Sequence, residues 1–96
     1  MESENIRDRA CITVSGRVQG VGYRWLVKTA ADAAGVVGTV RNLADGSVEI
    51  VAEAEQEILT VFVGTVYRGP PAGEVRDMTV IWSPGESDWT DFRIVP

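Results

Sequence analysis

Apolar and polar positions along this chain switch repeatedly between a repeat of two and a repeat near 3.6. Ile12, Val14 and Val18 alternate with Thr13, Ser15 and Arg17, which predicts a strand with one buried face. After a glycine-rich stretch, Tyr23, Leu26, Val27, Ala30, Ala33 and Ala34 fall at helical spacing, with Gly35 as a C-terminal stop. Residues 36–42 read as a second strand, and Asp45-Gly46 is a hairpin turn signal. Val48, Ile50, Ala52 and Ala54 then alternate with Ser47, Glu49 and Glu53 as a third strand.

Residues 55–68 carry mixed signals. Ile58, Phe62, Thr65 and Val66 share a helical face, but Thr60, Val61, Val63 and Thr65 are β-branched and Gly64 is a weak helix former. The length between two strands favours a helix. Gly69-Pro70-Pro71 is a break. Met78, Val80 and Trp82 alternate with Asp77, Thr79 and Ile81 as a fourth strand, residues 83–89 read as a loop, and Phe92 and Ile94 mark a short fifth strand. Residues 1–9 are charged and aperiodic, a loose tail ahead of one domain spanning 10–96. The order predicts an α+β, ferredoxin-like split βαβ fold (βαββαβ), with an antiparallel sheet of four to five strands and two helices on one face. That architecture hosts many functions and assigns none.

Composition narrows the classes. The 96 residues are 45% hydrophobic and 24% charged, a soluble globular balance with room for a single core. A formal net charge of −5 argues against a nucleic-acid partner. The sequence shows no signal peptide and no apolar run long enough to span a membrane, so the expected setting is the cytoplasm. Cys11 is the only cysteine, which excludes an intramolecular disulfide. There is no histidine, which removes Ser-His triads, phosphohistidine intermediates and most zinc sites.

Against that acidic background one stretch stands out. Arg17, Arg24, Lys28 and Arg41 are four of only nine basic residues, and no acid falls between Arg9 and Asp32. Gly16, Gly20 and Gly22 lie within seven residues, between strand and helix, and Arg24 closes the run. Glycines there let backbone N–H groups converge, the helix adds its positive end, and arginine adds a planar fork of donors. The result is a cradle sized for phosphate; a plain glycine turn beside a surface arginine has the same composition. A cation at a helix N-terminus is unfavourable unless it serves an anion. Asn42, ending the second strand, is the second candidate, although Asn beside a turn is common. Its carboxamide accepts and donates at once, so it is able to hold a water without being a base.

These residues resemble the acylphosphatases. That family's first motif, Gly-x-Val-Gln-Gly-Val-x-aromatic-Arg, is met by residues 16–24, with Tyr23 where phenylalanine is more usual. Its second motif is met by Gly38-Thr39-Val40-Arg41-Asn42 followed by Gly46-Ser47-Val48. Gly69-Pro70-Pro71 and Val75 are also similar, and the resemblance covers about residues 10–95. Thr39 departs from the usual aromatic and Ala54 from the usual glycine. The resemblance implies hydrolysis of the carboxyl-phosphate bond of a small-molecule acyl phosphate. It implies that the backbone amides of Gln19, Gly20, Val21, Gly22 and Tyr23 bind phosphate together with Arg24, and that Asn42 positions the attacking water. No metal and no cofactor are expected, inorganic phosphate is product and inhibitor, and the protein is expected to act as a monomer.

Three competing readings differ in chemistry. Cys11 and Arg17 have the Cys-x5-Arg spacing of cysteine-dependent phosphatases, yet the intervening residues alternate like a strand. A carbamoyl-phosphate-handling domain of a larger maturation protein shares the motifs. A non-catalytic anion-binding module would share the loop. Elsewhere the plain readings hold: Trp25, Trp82 and Trp89 as packing residues, Glu53, Glu55 and Glu57 as a solvated edge and helix start, and Arg41 on the strand face opposite Asn42.

Overall fold

A computed structural model of the protein describes residues 6–96. The chain runs β1 (Asp8–Arg17), α1 (Tyr23–Ala34), β2 (Val37–Asn42), β3 (Val48–Ala54), α2 (Gln56–Arg68), β4 (Glu74–Pro84) and β5 (Phe92–Ile94). The strand order is β4-β1-β3-β2-β5. Neighbours are antiparallel except β2 and β5, which pair in parallel. The ferredoxin-like arrangement is therefore present, but its sheet is mixed. Topology gives the reason: β4 ends on one edge, and residues 85–91 carry the chain to the other edge, where it enters beside β2. Of the tail expected over residues 1–9, positions 1–5 lie outside the described residues. Asp8 and Arg9 already belong to β1, paired with β3 on one side and β4 on the other.

The core lies between the sheet and both helices. Ala10, Ile12 and Val14 of β1, Val40 of β2, and Val48, Ile50 and Ala52 of β3 form one fully buried surface. Helix α1 presents Tyr23, Val27 and Ala31 to it, and α2 presents Leu59, Phe62 and Val66. Burial of each larger apolar side chain is worth roughly 1.5–3 kcal/mol, enough to override the weak helix propensity of the valines and threonines in α2. Phe62 meets Phe92 of β5 edge to face, with ring centroids 6.1 Å apart. Ala33 and Ala34, expected on the buried face of α1, are exposed, because the line through Tyr23 and Val27 continues at Ala31.

The tryptophans differ from expectation. Trp25 is 66% exposed on α1 and Trp82 is 45% exposed on the edge strand β4, which has a neighbour on one side only. Trp89 is half-buried, with the Arg9 guanidinium 5.6 Å from its ring centroid.

Glu53 is also a correction. Its side chain is completely buried, on the face of the sheet that carries no helix. Arg9 holds it through Nε at 2.8 Å and Nη2 at 2.6 Å, and the Ser87 hydroxyl donates at 2.6 Å. Burial by itself would raise the carboxyl pKa, but hydrogen bonds from Ser87 and Arg9 outweigh it and hold the group below its ordinary value. The 85–91 segment crosses over this carboxylate, pinned by Gly85 N–H to Arg7 O and by Gly38 N–H to Asp91 O, each 3.0 Å. The alternation that put Glu53 opposite the core was right; the covering segment arrives from 34 residues away.

Candidate active site

The glycine-rich stretch links β1 to α1, and both of its ends are fixed by packing. At the β1 end the register shifts between Ser15 and Gly16. A Cβ on Gly16 would sit 2.3 Å from Glu74 O, so only glycine allows β4 this close. At the helix end Tyr23 is buried and its hydroxyl donates to Val66 O at 2.7 Å, tying α1 to α2. Burial raises the phenol pKa far above its usual value, so this hydroxyl stays a donor.

Between these anchors Gly20 and Gly22 adopt positive φ, 75° and 81°, a region that side-chain-bearing residues rarely adopt. Gly22 is the N-cap of α1 and supplies no side chain to the helix end. The first intrahelical bond runs from Leu26 N–H to Gly22 O, so the N–H groups of Tyr23, Arg24 and Trp25 have no partner within the helix. No acidic residue lies in that first turn.

A cleft of about 210 Å³ opens over this turn, lined by Val18, Gly20, Gly22, Tyr23, Arg24, Trp25 and Ile94. Arg24 is half-buried in its wall and has no carboxylate partner among the described residues. The other cations of the cluster differ. Lys28 is engaged by Asp32 at 3.0 Å and by the carbonyl of Phe92 at 2.9 Å. Arg41 pairs with Glu49 at 2.9 Å on the opposite face of the sheet. Arg17 is exposed beyond the cleft.

The remaining sequence candidates divide in the same way. Val21 packs against the core. Gln19 turns its side chain out of the loop, and its Nε2 donates to Leu43 O at 3.0 Å and to Ser47 O at 2.9 Å. Those carbonyls belong to the β2–β3 hairpin immediately after Asn42, so Gln19 ties the loop to the end of β2. Asn42 does not line the cleft itself. It shares the helix-side face of β2 with Val40, and its Oδ1 is buried with no hydrogen-bond partner among the described residues. An acceptor in that state favours a ligand that donates. Sequence reasoning missed Ile94, which reaches the cleft only through the parallel pairing of β5 with β2.

The Cys-x5-Arg reading fails on geometry. Cys11 and Arg17 both lie in β1, so the residues between them are extended rather than wrapped. Among the described residues no group of His, Cys, Asp or Glu is placed to hold a metal ion, and no helix is long and apolar enough to cross a membrane.

The acylphosphatase family model matches residues 10–94. The chain belongs to the acylphosphatase family. An acylphosphatase from Thermococcus kodakarensis is 44% identical over 89 residues, 93% of this chain and 97% of that one. An acylphosphatase from Lactiplantibacillus plantarum is 46% identical over 84 residues, 86% and 92% of the two chains. The crystal structure of acylphosphatase from Bacillus subtilis superposes with a TM-score of 0.90 at 40% identity, covering 93% of this chain and 99% of that chain. In this acylphosphatase fold Thr39 pairs with Val51 and Arg93, and Ala54 belongs to the core.

Proposed function

We propose that this acylphosphatase, working as a monomer through the domain of residues 10–96, hydrolyses the carboxyl-phosphate bond of small acyl phosphates in the cytoplasm. The observation that carries the reading is Arg24, half-buried and without a carboxylate partner among the described residues, in a cleft faced by the open end of α1. The amides of residues 19–23 and the Arg24 fork hold the phosphoryl oxygens. Asn42 holds a water in line with the bond to the leaving group. Water attacks phosphorus, the bond from phosphorus to the acyl oxygen breaks with its electron pair, and a carboxylate departs. The proton of the water passes to a phosphoryl oxygen of the substrate. A carboxylate is a good leaving group, its conjugate acid having a pKa near ~4, so no strong general acid is needed. What the protein supplies is position and charge stabilisation.

The chain also superposes on full-length HypF, solved in a phosphate- and nucleotide-bound form, with a TM-score of 0.81 at 25% identity, but covers 12% of that chain. The relatives matched along nearly their whole length are themselves acylphosphatases, which favours the hydrolase over a domain of a larger maturation protein.

Benzoyl phosphate hydrolysis in the presence of chelator tests the proposal. Turnover is expected, with inorganic phosphate a competitive inhibitor. Arg24→Gln is expected to weaken phosphate inhibition and kcat/KM together by 100-fold or more, on the order of the loss from removing one preorganised donor. Absence of turnover in the wild type, or full activity in Arg24→Gln, overturns it.

A further inference from the structure

A second depression, apolar and shallow, opens along α1 beside the cradle. It has a volume of about 500 Å³ and is lined by Trp25, Leu26, Thr29, Ala30 and Ala33 of the helix together with Gly22 and Pro70. Gly22 and Trp25 line the cradle as well, so the two depressions adjoin at these residues. Trp25 stands 66% exposed at the junction, offering a large flat apolar surface to solvent.

The direction of the reaction fits this layout. An in-line displacement expels the acyl group on the side of the phosphorus opposite the attacking water. The Gln19 end of the loop is bonded to the hairpin that follows Asn42, whereas the Gly22 end opens on the groove. Water is thus assigned to one end of the loop and the leaving group to the other. From Trp25 to Ala33 is eight residues of helix, about 12 Å, room for an extended chain or a ring and not merely for a methyl group.

We infer that this groove is the acyl subsite, and that the enzyme selects acyl phosphates with extended apolar acyl groups. The inference rests on the hydrolase reading above. A methylene fully removed from water tightens binding roughly fourfold, and an open groove removes it only in part, so each added methylene gains about twofold. Such binding is held equally in ground and transition states, so it lowers KM and leaves kcat nearly constant.

The test measures kcat/KM for acetyl, butyryl and hexanoyl phosphate with the wild type, Trp25→Ala and Ala33→Glu. Both variants change exposed positions. In the wild type hexanoyl phosphate, with four more methylenes, is expected to exceed acetyl phosphate by about 16-fold, through KM. Trp25→Ala is expected to bring the hexanoyl-to-acetyl ratio close to one, and Ala33→Glu to lower it. Because the ratio is taken within each protein, any loss of folded enzyme cancels. A flat series in the wild type, or an unchanged ratio in both variants, overturns the subsite while leaving the hydrolase intact. Failure to cleave any of the three defeats the hydrolase reading itself.

Discussion

Replacing Asn42 with alanine is expected to make the protein more stable and nearly inactive. Asn42 Oδ1 is buried and accepts no hydrogen bond from the described residues. A buried acceptor without a partner costs about 1–3 kcal/mol, and the low end applies because the side chain is only half-buried. Removing the carboxamide recovers about 1 kcal/mol, which in a domain of this size raises Tm by roughly 4–8 °C. Turnover moves the other way. A water displaced by about 1 Å from its line of attack slows reaction by roughly 100-fold, and this is the smallest loss expected. In the proposed site phosphate is held by the loop and Arg24, so its binding is expected to survive. At 100 times its dissociation constant a ligand adds about 2.7 kcal/mol to stability, so the phosphate-induced rise in Tm is expected in the variant as in the wild type. Calorimetric melts with and without phosphate, beside benzoyl phosphate kinetics, read all three. A variant that melts lower than the wild type and hydrolyses at the normal rate would refute both the strain and the water-holding role.

Gln19→Ala removes two hydrogen bonds to the hairpin, a loss of about 1–3 kcal/mol, and lets the loop drift from Asn42. Its kcat is expected to fall while its phosphate-induced rise in Tm is retained; an unaltered kcat would show that the tie does not align the site. Glu53→Gln addresses the helix-free face. The folded carboxyl titrates below the ordinary value of 4.5, so its contribution is complete above that pH and is lost as pH falls through the folded value. Urea denaturation from pH 7 to pH 3 is expected to show the variant about 2 kcal/mol weaker at neutrality, with a flatter acid limb; parallel limbs would contradict this.

Local pattern carried most of the fold and the outline of the site. The alternation through Ile12 and Val14, the helical spacing from Tyr23 and the Asp45-Gly46 turn are short-range signals, and each element formed where its pattern lay. The cradle was legible for the same reason, since loop glycines and a first-turn arginine are neighbours in sequence. What escaped the pattern was long-range. Glu53 reads as a solvated charge until Arg9 and Ser87 close over it. Ile94 becomes a wall of the cleft only because β5 pairs with β2, and the Gln19 tie spans 24 and 28 residues. Trp25 reads as a core residue by size, and only the helix register turns it to solvent.

The distribution of paired and unpaired cations has a kinetic consequence. Lys28, Arg41 and Arg9 are each held by a carboxylate, while Arg24, in the wall of the cleft, has none among the described residues, in a molecule whose net charge is −5. A dianionic substrate is therefore repelled at long range and attracted only over the last few ångströms. Salt at physiological strength, with a screening length of about 8 Å, suppresses the distant repulsion more than the close attraction. The rate of encounter should then change little with ionic strength, or rise with it, the opposite of an enzyme that steers its substrate through a broad field of complementary charge.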